Sequence, residues 1–424
     1  MQYVIVGNGA TAIAAIQAIR ERDKKGKITV ISDEPSANYS RPLISYLLAK
    51  KVNLDKLPFC PVGFYQENQV ELLLNKRVTR LDLKKKAVIL ADKGSLKFDR
   101  LLLATGGAPI IPEIKGKNTK GVFTFTKLAD ALAIAKYIEA NKVKQAVVIG
   151  GGLIGLKATE ALIERKIKVT IIELADRILA STFDQLASSV IERALAKQGC
   201  SLITNNTATE IVSAAGKTKE VVLKDKKRIP ANLVIMAIGV RPNVELVQGA
   251  AIKVNKGILV DDFMQTNIKS VYAAGDCAEA KDAQSGKSRP LAIWPLACRG
   301  GKIAGFNMSG ASEKYAGGLA MNSVELCGIP TISVGQTVPT AEHEVLERFA
   351  PEKSVYKKIV LMDNRIIGVI FVGEIERAGI YTGLIKDKVD ASGFKDSLLS
   401  DDFGLVSLPK EYRKHLVGEE VAMI

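Results

Sequence analysis

The sequence of 424 residues is poor in the side chains on which much enzyme chemistry depends. It contains two histidines, His343 and His415, one tryptophan, and only 5% aromatic residues. Its five cysteines form no Cys-x-x-Cys pair, so we predict neither a dithiol redox motif nor a metal site. An odd number of cysteines is typical of buried thiols in a cytoplasmic chain. A histidine-dependent hydrolase and a metal enzyme are therefore disfavoured. The cysteines are Cys60, Cys200, Cys277, Cys298 and Cys327.

Long apolar runs are also lacking. No run reaches the ~18 residues that a membrane-spanning helix needs. The chain starts directly with a predicted strand, which indicates a cytoplasmic protein without a membrane partner. The net charge is +15, but the lysines are scattered and no nucleic-acid-binding motif accompanies them. Two interpretations of this charge stay open, namely ordinary solvated lysines or a basic surface that attracts an acidic protein partner.

The chain contains two glycine-rich turns of the kind that bind dinucleotides. The first is Gly7-Asn8-Gly9-x-x-Ala12, after the apolar residues 4–6, and the second is Gly150-Gly151-Gly152-x-x-Gly155, after the apolar residues 147–149. Each turn leads into a helical pattern rich in alanine and leucine. The first glycine allows a tight turn, the second lets backbone N–H groups approach a pyrophosphate, and the third small residue lets helix pack on strand. One such turn alone is weak support for dinucleotide binding, but two of them, each between a predicted strand and a predicted helix, predict two bound dinucleotides.

An acidic residue follows the second predicted strand of each unit, where it would meet a ribose hydroxyl. In the first unit the segment is Ser32-Asp33-Glu34, and in the second unit the residue is Glu173. A carboxylate at Glu173 would accept hydrogen bonds from the ribose of NAD and repel a 2′-phosphate, and the nearest cation is Arg177. We therefore expect NADH rather than NADPH, although a glutamate at a strand end can also be an ordinary surface residue.

The alternation of strands and helices predicts an α/β fold with two Rossmann-like domains and a C-terminal α+β domain. Pro109 and Pro112 indicate the crossing into the second domain. Near the end of the chain, two strands joined at Asp363-Asn364 lead into a helix after Gly373. The predicted boundaries are 1–112 with 239–316 for the first dinucleotide-binding domain, 113–238 for the second, and 317–424 for the C-terminal domain.

Three further motifs accompany the two turns in a fixed order. They are Ala104-Thr105-Gly106-Gly107, Ala237-Ile238-Gly239-x-Arg241-Pro242-Asn243 and Ala273-Ala274-Gly275-Asp276. Together with the turns they resemble the FAD-dependent pyridine nucleotide–disulfide oxidoreductase superfamily over nearly the whole chain. The resemblance implies that the first domain binds FAD, that the second binds NAD(H), and that a segment beginning at Trp294 covers the flavin.

The resemblance also assigns individual residues to each cofactor. Those expected to bind FAD are Gly7, Gly9, Ala10, Thr11, Ala12, Ser32, Asp33, Glu34, Arg41, Pro42, Ser45, Val78, Ala104, Thr105, Gly106, Gly275, Asp276, Trp294, Pro295 and Leu296. Those expected to bind NAD(H) are Gly150, Gly152, Leu153, Ile154, Gly155, Glu173 and Gly239.

Two departures from the family pattern bear on function. Ser45 occupies the position of the redox cysteine of disulfide reductases, which disfavours a dithiol relay. The segment Tyr39-Ser40-Arg41-Pro42 instead resembles the branch with rubredoxin reductases, ferredoxin reductases and nitrite-reductase flavin domains. Several members of that branch pair a lysine with a glutamate near flavin N5, and these positions here hold Tyr46 and Lys157. Lys157 is therefore the expected catalytic cation, since positive charge would stabilise the reduced flavin; a solvated lysine is the alternative.

The expected function is that of an NADH-dependent FAD oxidoreductase. It would pass a hydride from NADH to flavin N5 and then single electrons to a small acidic iron–sulfur protein such as rubredoxin or ferredoxin. Two alternatives stay open: a flavoprotein subunit of a larger redox complex, for example with carbon monoxide dehydrogenase, and a cysteine-independent NADH oxidase. The segment from Gly373 resembles the third domain of rubredoxin- and nitrite-reductase-type members, which often lies at a dimer interface, so a homodimer is a further expectation.

Overall fold

A computed structural model describes residues 1–410, 412 and 413 of the chain. These residues form eight α-helices, none of which combines the length and the apolar character that crossing a bilayer requires. The helices are α1 (Ala10–Arg22), α2 (Ile44–Leu48), α3 (Phe64–Glu67), α4 (Leu128–Asn141), α5 (Leu153–Glu164), α6 (Gln185–Lys197), α7 (Trp294–Met308) and α8 (Ala378–Lys386).

Five parallel strands form the sheet of the first dinucleotide-binding unit. Strand Gln2–Val6 lies at its centre, between Lys27–Ile31 and Arg100–Leu103. The late strand Val271–Ala273 pairs with Arg100–Leu103, and Val70–Leu73 forms the other edge. Apolar residues dominate these strands because both faces of a parallel sheet are covered. The sheet therefore combines strands from both segments that were predicted for the first domain.

The second dinucleotide-binding unit repeats this plan with another parallel sheet. Its central strand Gln145–Ile149 lies between Lys168–Ile172 and Leu233–Met236, and the edges are Ser201–Ile203 and Val122–Thr124. In both units the central strand leads through a glycine-rich turn into a helix, α1 or α5. The repeated topology confirms the predicted α/β class with two Rossmann-like units.

Smaller sheets of short strands accompany the two units. Their pairing is antiparallel except between Ile258–Leu259 and Ala278–Lys281, which is parallel. The strands Gly107–Pro109 and Val240–Pro242 pair where the chain passes between the units, close to the predicted crossing points. The strands Val78–Asp82 and Ala87–Leu90 form a hairpin whose turn contains Lys84, Lys85 and Lys86. The remaining strands of these small sheets are Ser95–Lys97, Ala208–Ala214, Lys217–Leu223, Arg228–Pro230, Ile258–Leu259, Ala278–Lys281 and Ser288–Arg289.

The C-terminal domain is an antiparallel sheet covered by α8. The expected strand pair is present, and its turn residues Asp363 and Asn364 both have positive φ (49° and 57°), as a tight two-residue hairpin turn requires. The five strands, in spatial order, are Met321–Leu326, Ile329–Gly335, Arg365–Val372, Val355–Met362 and Glu344–Ala350.

Helix α7 packs against α1 through small residues. A Cβ added at Gly301 would meet the Thr11 carbonyl oxygen at 2.2 Å, and one at Gly305 would meet the Ala15 carbonyl oxygen at 2.5 Å. The two helix backbones can approach this closely only because these positions are glycine. The packing fixes the beginning of α7, and with it Trp294, relative to the first glycine-rich turn.

A buried ion pair joins the second unit to the C-terminal domain. The Lys358 Nζ lies 2.8 Å from the Asp184 Oδ2, and the Tyr356 hydroxyl donates to the same oxygen at 2.7 Å. The Lys358 side chain is 6% exposed and that of Asp184 is 25% exposed. Asp184 also caps α6, since its Oδ1 accepts a hydrogen bond from the Ala187 N–H at 3.0 Å. Burial raises the pKa of Asp184, but hydrogen bonds led by that from Lys358 outweigh it and leave the pKa below its ordinary value of 3.8.

We expect Asp184→Asn to destabilise the protein by about 2 kcal/mol, because asparagine still caps α6 but leaves the Lys358 charge buried without its partner. The measurement is urea unfolding at pH 7. Because the folded-state pKa of Asp184 is depressed, its contribution is present above the unfolded-state pKa and is lost as the pH falls through the lower, folded-state pKa. The difference between the two proteins should therefore shrink in acid.

The control for this test is Glu113→Gln, which breaks the exposed pair with Lys117. Pairs between solvated side chains contribute little to stability, so no measurable change is expected there. Equal stability of the Asp184→Asn variant and the unsubstituted protein would contradict a stabilising role for the buried pair.

Candidate functional site

The first glycine-rich turn leaves the beginning of α1 open. Gly7 has φ +107°, and a Cβ there would meet the Ala104 carbonyl oxygen at 2.0 Å, so only glycine fits. At Gly9, by contrast, an added Cβ would find no described atom within 4 Å. Gly9 is the N-cap of α1 and has no side chain to cap the helix. The first N–H groups of α1 are thus available to an anion.

The second turn has the same geometry. Gly150 has φ +111°, and a Cβ there would meet the Ala237 carbonyl oxygen at 2.4 Å. An added Cβ at Gly152, the N-cap of α5, has no described atom within 4 Å, whereas one at Gly155 would meet the Gly150 carbonyl oxygen at 2.0 Å. Gly150 therefore allows the tight turn, Gly152 leaves room for a pyrophosphate to approach, and Gly155 lets the helix pack closely on the strand, as the motif predicts. Both turns fit the pyrophosphate of a dinucleotide.

Glu173 follows strand Lys168–Ile172 and reaches back to the second turn. Its carboxylate accepts hydrogen bonds from the Gly151 N–H at 2.5 Å and from the Ala175 N–H at 2.8 Å. The carboxylate thus stands beside the turn, at the position expected for a ribose ligand. The nearby Arg177 pairs with Asp176 at 2.7 Å. Arg177, the nearest cation in the sequence, therefore already has a partner next to it in the chain.

The acidic segment of the first unit is arranged differently. Ser32, not an acid, occupies the position directly after strand Lys27–Ile31, and it is buried. The Glu34 carboxylate accepts hydrogen bonds from the Tyr39 hydroxyl at 2.6 Å and from Arg41 at 2.9 Å. Asp33 is more exposed, and its Oδ1 lies 3.6 Å from the Lys127 Nζ. A ribose-binding role for these residues stays a prediction, and Glu34 has protein partners of its own.

The hydrogen bonds that run from Glu34 through Tyr39 and Arg41 to the second unit were not predicted from the sequence. Tyr39 also accepts a hydrogen bond from the Leu128 N–H at 3.2 Å, and Arg41 donates to the Thr126 carbonyl oxygen at 2.8 Å. Leu128 is the first residue of α4 in the second unit. The contacts therefore join the two dinucleotide-binding units, and no local pattern in the sequence signals them.

The other predicted flavin residues converge at the carboxyl edge of the first sheet. Thr105 and Gly106 follow strand Arg100–Leu103, and Gly275 and Asp276 follow strand Val271–Ala273. Ligands of such sheets bind at this edge. Gly275 has φ +77° and abuts Thr11 of α1, so the motif lies directly against the first turn. Burial raises the pKa of Asp276, while the positive charge of Arg41 opposes the rise.

Trp294 is the first residue of α7 and is half-buried. Its ring meets Phe59 edge to face, with 4.9 Å between the centroids. Pro295 is exposed and Leu296 half-buried, whereas Val78, the first residue of the strand Val78–Asp82, is buried in the core. Contact of these four predicted residues with FAD stays a prediction.

The two exchanged positions, Tyr46 and Lys157, face each other. The Lys157 Nζ lies 5.1 Å from the centroid of the Tyr46 ring. It also lies 2.5 Å from the Glu160 Oε2, and its side chain is 22% exposed. Lys157 is therefore only partly exposed to solvent and has an acidic partner. Glu160 lies one turn further along α5, and this partner was not predicted from the sequence although residues three apart on a helix are neighbours. Ser45, next to Tyr46, is buried and donates to the Pro42 carbonyl oxygen at 3.2 Å.

The expectation of buried cysteines is correct for Cys200 and Cys277 and wrong for Cys60, Cys298 and Cys327, which are half-buried. Cys60 lies in a loop, Cys298 on the second turn of α7 and Cys327 in a hairpin turn, and the cover is incomplete at each. Burial nevertheless raises the pKa of all five thiols, to about 11 for Cys200 and, with Glu160 adding to it, to about 12 for Cys327. Such thiols are poor nucleophiles at neutral pH.

The described part of the chain contains no group of three histidine, cysteine, aspartate or glutamate side chains placed to bind a metal ion. His343 is half-buried in a loop of the C-terminal domain, and His415 lies outside the described residues.

One dinucleotide turn on each of two parallel sheets, followed by an antiparallel domain, defines a flavin- and pyridine nucleotide-dependent oxidoreductase. The model of the pyridine nucleotide-disulphide oxidoreductase family matches residues 1–301, and that of the rubredoxin NAD+ reductase C-terminal domain matches residues 321–389. The chain belongs to the pyridine nucleotide-disulphide oxidoreductase family. It is an NAD(P)H-dependent oxidoreductase that uses FAD, as the sequence predicts.

Relatives with quite different roles resemble the chain. It is 33% identical to a nitrite reductase [NAD(P)H] of Bacillus subtilis over 92% of the chain and 48% of that protein, so it spans about half of this relative. It is 31% identical to the NADH-dependent phenylglyoxylate dehydrogenase subunit epsilon of Aromatoleum evansii, over 94% of the chain and 95% of that protein. Among solved structures, a covalent putidaredoxin reductase–putidaredoxin complex matches with a TM-score of 0.82 and 25% identity, over 92% of this chain and 94% of that chain.

We expect Gly9→Ala and Gly152→Ala to fold normally but to lose different cofactors. Each methyl group would enter open space and obstruct a pyrophosphate, which should weaken binding at least about tenfold, or about 1.4 kcal/mol. The Gly9→Ala protein should be purified with little FAD. The Gly152→Ala protein should keep its FAD and bind NADH weakly, as measured by flavin absorbance and by titration.

The two variants serve as controls for each other. Gly7→Ala is a third comparison, because its methyl group would clash with the Ala104 carbonyl oxygen at 2.0 Å and should destabilise the fold itself. Normal FAD content in Gly9→Ala would contradict the assignment of the first turn to FAD.

Proposed function

We propose that this protein oxidises NADH and passes the electrons one at a time to a small acidic iron–sulfur protein of the rubredoxin or ferredoxin type. The observation that carries the proposal is Ser45 at the position of the redox cysteine. Because a serine cannot cycle between thiol and disulfide, electrons have no internal dithiol to enter. They must leave to a separate acceptor. The match of residues 321–389 to the rubredoxin NAD+ reductase C-terminal domain supports an acceptor of this class.

In this proposal each unit of the chain has a separate task. The first N–H groups of α5 bind the pyrophosphate of NADH, and Glu173 binds its ribose. The first N–H groups of α1 bind the pyrophosphate of FAD, and Asp276 binds its ribityl chain. Bound FAD supplies a group that accepts a hydride and releases electrons singly. Lys157, held over Tyr46, provides positive charge where negative charge develops on reduction.

The specificity for NADH is tested by Glu173→Gln. The amide oxygen can still accept the Gly151 N–H, but the charge that would bind the ribose and repel a 2′-phosphate is gone. Hydrogen bonds to charged groups contribute about 1.5–3 kcal/mol, so KM for NADH should rise about tenfold. The preference for NADH over NADPH should fall, as measured by kcat/KM for flavin reduction with each nucleotide. An unchanged preference would show that Glu173 does not determine the specificity for NADH over NADPH.

The surface near the beginning of α7 suits an acidic partner. Arg299 and Lys302 are exposed on the helix that begins with Trp294, and Trp294 is expected to lie by the flavin. The chain as a whole carries a net charge of +15. A basic surface accelerates the encounter with a partner of opposite charge, and salt screens that attraction.

The decisive experiment adds rubredoxin or ferredoxin to protein that has been reduced anaerobically with NADH. The acceptor should be reduced rapidly at low salt and more slowly at high salt. Arg299→Glu with Lys302→Glu should slow the association about tenfold at low salt. The matched control is Lys84→Glu with Lys85→Glu, which reverses two charges on the exposed hairpin turn and should leave the rate unchanged.

The outcomes separate the candidate acceptors. Flavin reduction by NADH without reduction of either protein would contradict the proposed acceptor class. Rapid reoxidation by O2 alone would then favour an NADH oxidase. Failure of NADH to reduce the flavin would contradict the proposed donor.

A second candidate is a flavoprotein subunit of a larger redox complex. The observation that favours it is the match to the phenylglyoxylate dehydrogenase subunit epsilon, because this chain covers 95% of that protein. In this case the acceptor would be a dedicated partner subunit. Co-purification of the natural protein with other redox subunits, together with no activity toward free rubredoxin or ferredoxin, would favour this candidate.

A further inference from the structure

Three parts of the chain meet around the ammonium group of Lys157. Helix α5 of the second unit carries the lysine, and α2 of the first unit supplies Tyr46, whose ring centroid is 5.1 Å from the Nζ. The C-terminal domain supplies the carbonyl oxygen of Glu325, to which the Nζ donates at 3.3 Å. The C-terminal domain therefore contacts the residue expected to stand beside the flavin.

Glu160 connects these parts through its two carboxylate oxygens. The Oε2 lies 2.5 Å from the Lys157 Nζ, and the Oε1 accepts a hydrogen bond from the Cys327 N–H at 2.6 Å. The Glu160 side chain is 19% exposed, so solvent screens this pair only in part.

The turn that binds Glu160 is itself rigid. Cys327 and Gly328 join strands Met321–Leu326 and Ile329–Gly335, and both have positive φ (53° and 79°). A two-residue turn of this kind is strongly defined by the strands it joins. The amide of Cys327 is therefore a fixed donor, and it fixes the Glu160 carboxylate in turn.

We propose that Glu160 is a positioning residue, which holds Lys157 over Tyr46 and limits the positive charge that Lys157 presents to the flavin. The inference rests on the proposed function, since it takes Lys157 as the cation beside the flavin. Three contacts fix the lysine: the carboxylate of Glu160, the carbonyl oxygen of Glu325 and the ring of Tyr46. A displacement of the C-terminal domain would move the Glu325 carbonyl oxygen directly and would separate the Glu160 carboxylate from the Cys327 N–H that fixes it. The C-terminal domain thereby influences the midpoint potential of the flavin.

The experiment measures the midpoint potential of the bound flavin in three variants. Lys157→Met removes the cation and leaves Glu160 negative, so the potential should fall. Glu160→Gln removes the negative charge, keeps an oxygen for the Cys327 N–H and leaves Lys157 uncompensated, so the potential should rise. The double variant restores electrical balance and should return close to the potential of the unsubstituted protein.

The matched control is Glu164→Gln on the same helix. Glu164 also pairs with a lysine, Lys51, at 2.6 Å, but both side chains are about half exposed. This substitution should leave the potential unchanged, which separates a local effect at Lys157 from a general effect of removing one negative charge from α5. Thermal unfolding of each variant verifies that the fold is intact.

The outcomes distinguish this inference from the proposed function. If Lys157→Met lowers the potential but Glu160→Gln leaves it unchanged or lowers it, the positioning role is overturned while Lys157 keeps its place beside the flavin. If Lys157→Met has no effect, both the positioning role and the assigned role of Lys157 are overturned. Reduction of the flavin by NADH, followed separately, reports on the proposed function in every variant.

Discussion

The structure depends on two places where the backbone approaches itself too closely for a side chain. At Gly7 and Gly150 the turn after each central strand presses against a carbonyl oxygen of a neighbouring segment. The chain must reverse at once into a helix, and the helix begins at a glycine that offers no capping side chain. Its first N–H groups therefore remain open at the carboxyl edge of the sheet. A pyrophosphate would satisfy them, and each turn is therefore the expected site of a dinucleotide.

The same demand for close backbone approach extends to the rest of the first unit. Gly301 and Gly305 let α7 lie against α1, so Trp294 and the motif ending at Asp276 are held close to the helix that follows the first glycine-rich turn. Polar contacts also join the units. Tyr39, which donates to Glu34, accepts a hydrogen bond from Leu128 of the second unit, and Asp184 of the second unit pairs with Lys358 of the C-terminal domain. These polar contacts add to apolar packing between the units, since one apolar cluster includes residues of all three, among them Ile44, Leu162 and Tyr356.

The difference between local patterns and contacts of distant residues explains what could be predicted from the sequence. The two turns, the parallel sheets and the terminal hairpin depend on local patterns, namely glycine at fixed spacing and apolar strands, and these were predicted correctly. The contacts of Tyr39 with Leu128, of Lys157 with Tyr46 and of Asp184 with Lys358 join residues far apart in the chain, so no local pattern indicates them. Glu160 lies only three residues from Lys157 and was missed although its spacing fits. The partial exposure of Cys327 was also missed, because it depends on how far a helix of another domain covers the hairpin turn.

The central claim is that the two open helix ends hold FAD and NADH so that nicotinamide and flavin meet between them. A crystal structure of the FAD-loaded protein soaked with NAD+ tests this most directly. The account predicts one pyrophosphate at Gly9 and the other at Gly152, with the nicotinamide stacked on the flavin close to Tyr46 and Lys157. A nicotinamide turned away from the flavin, or a dinucleotide bound elsewhere on the surface, would contradict the account.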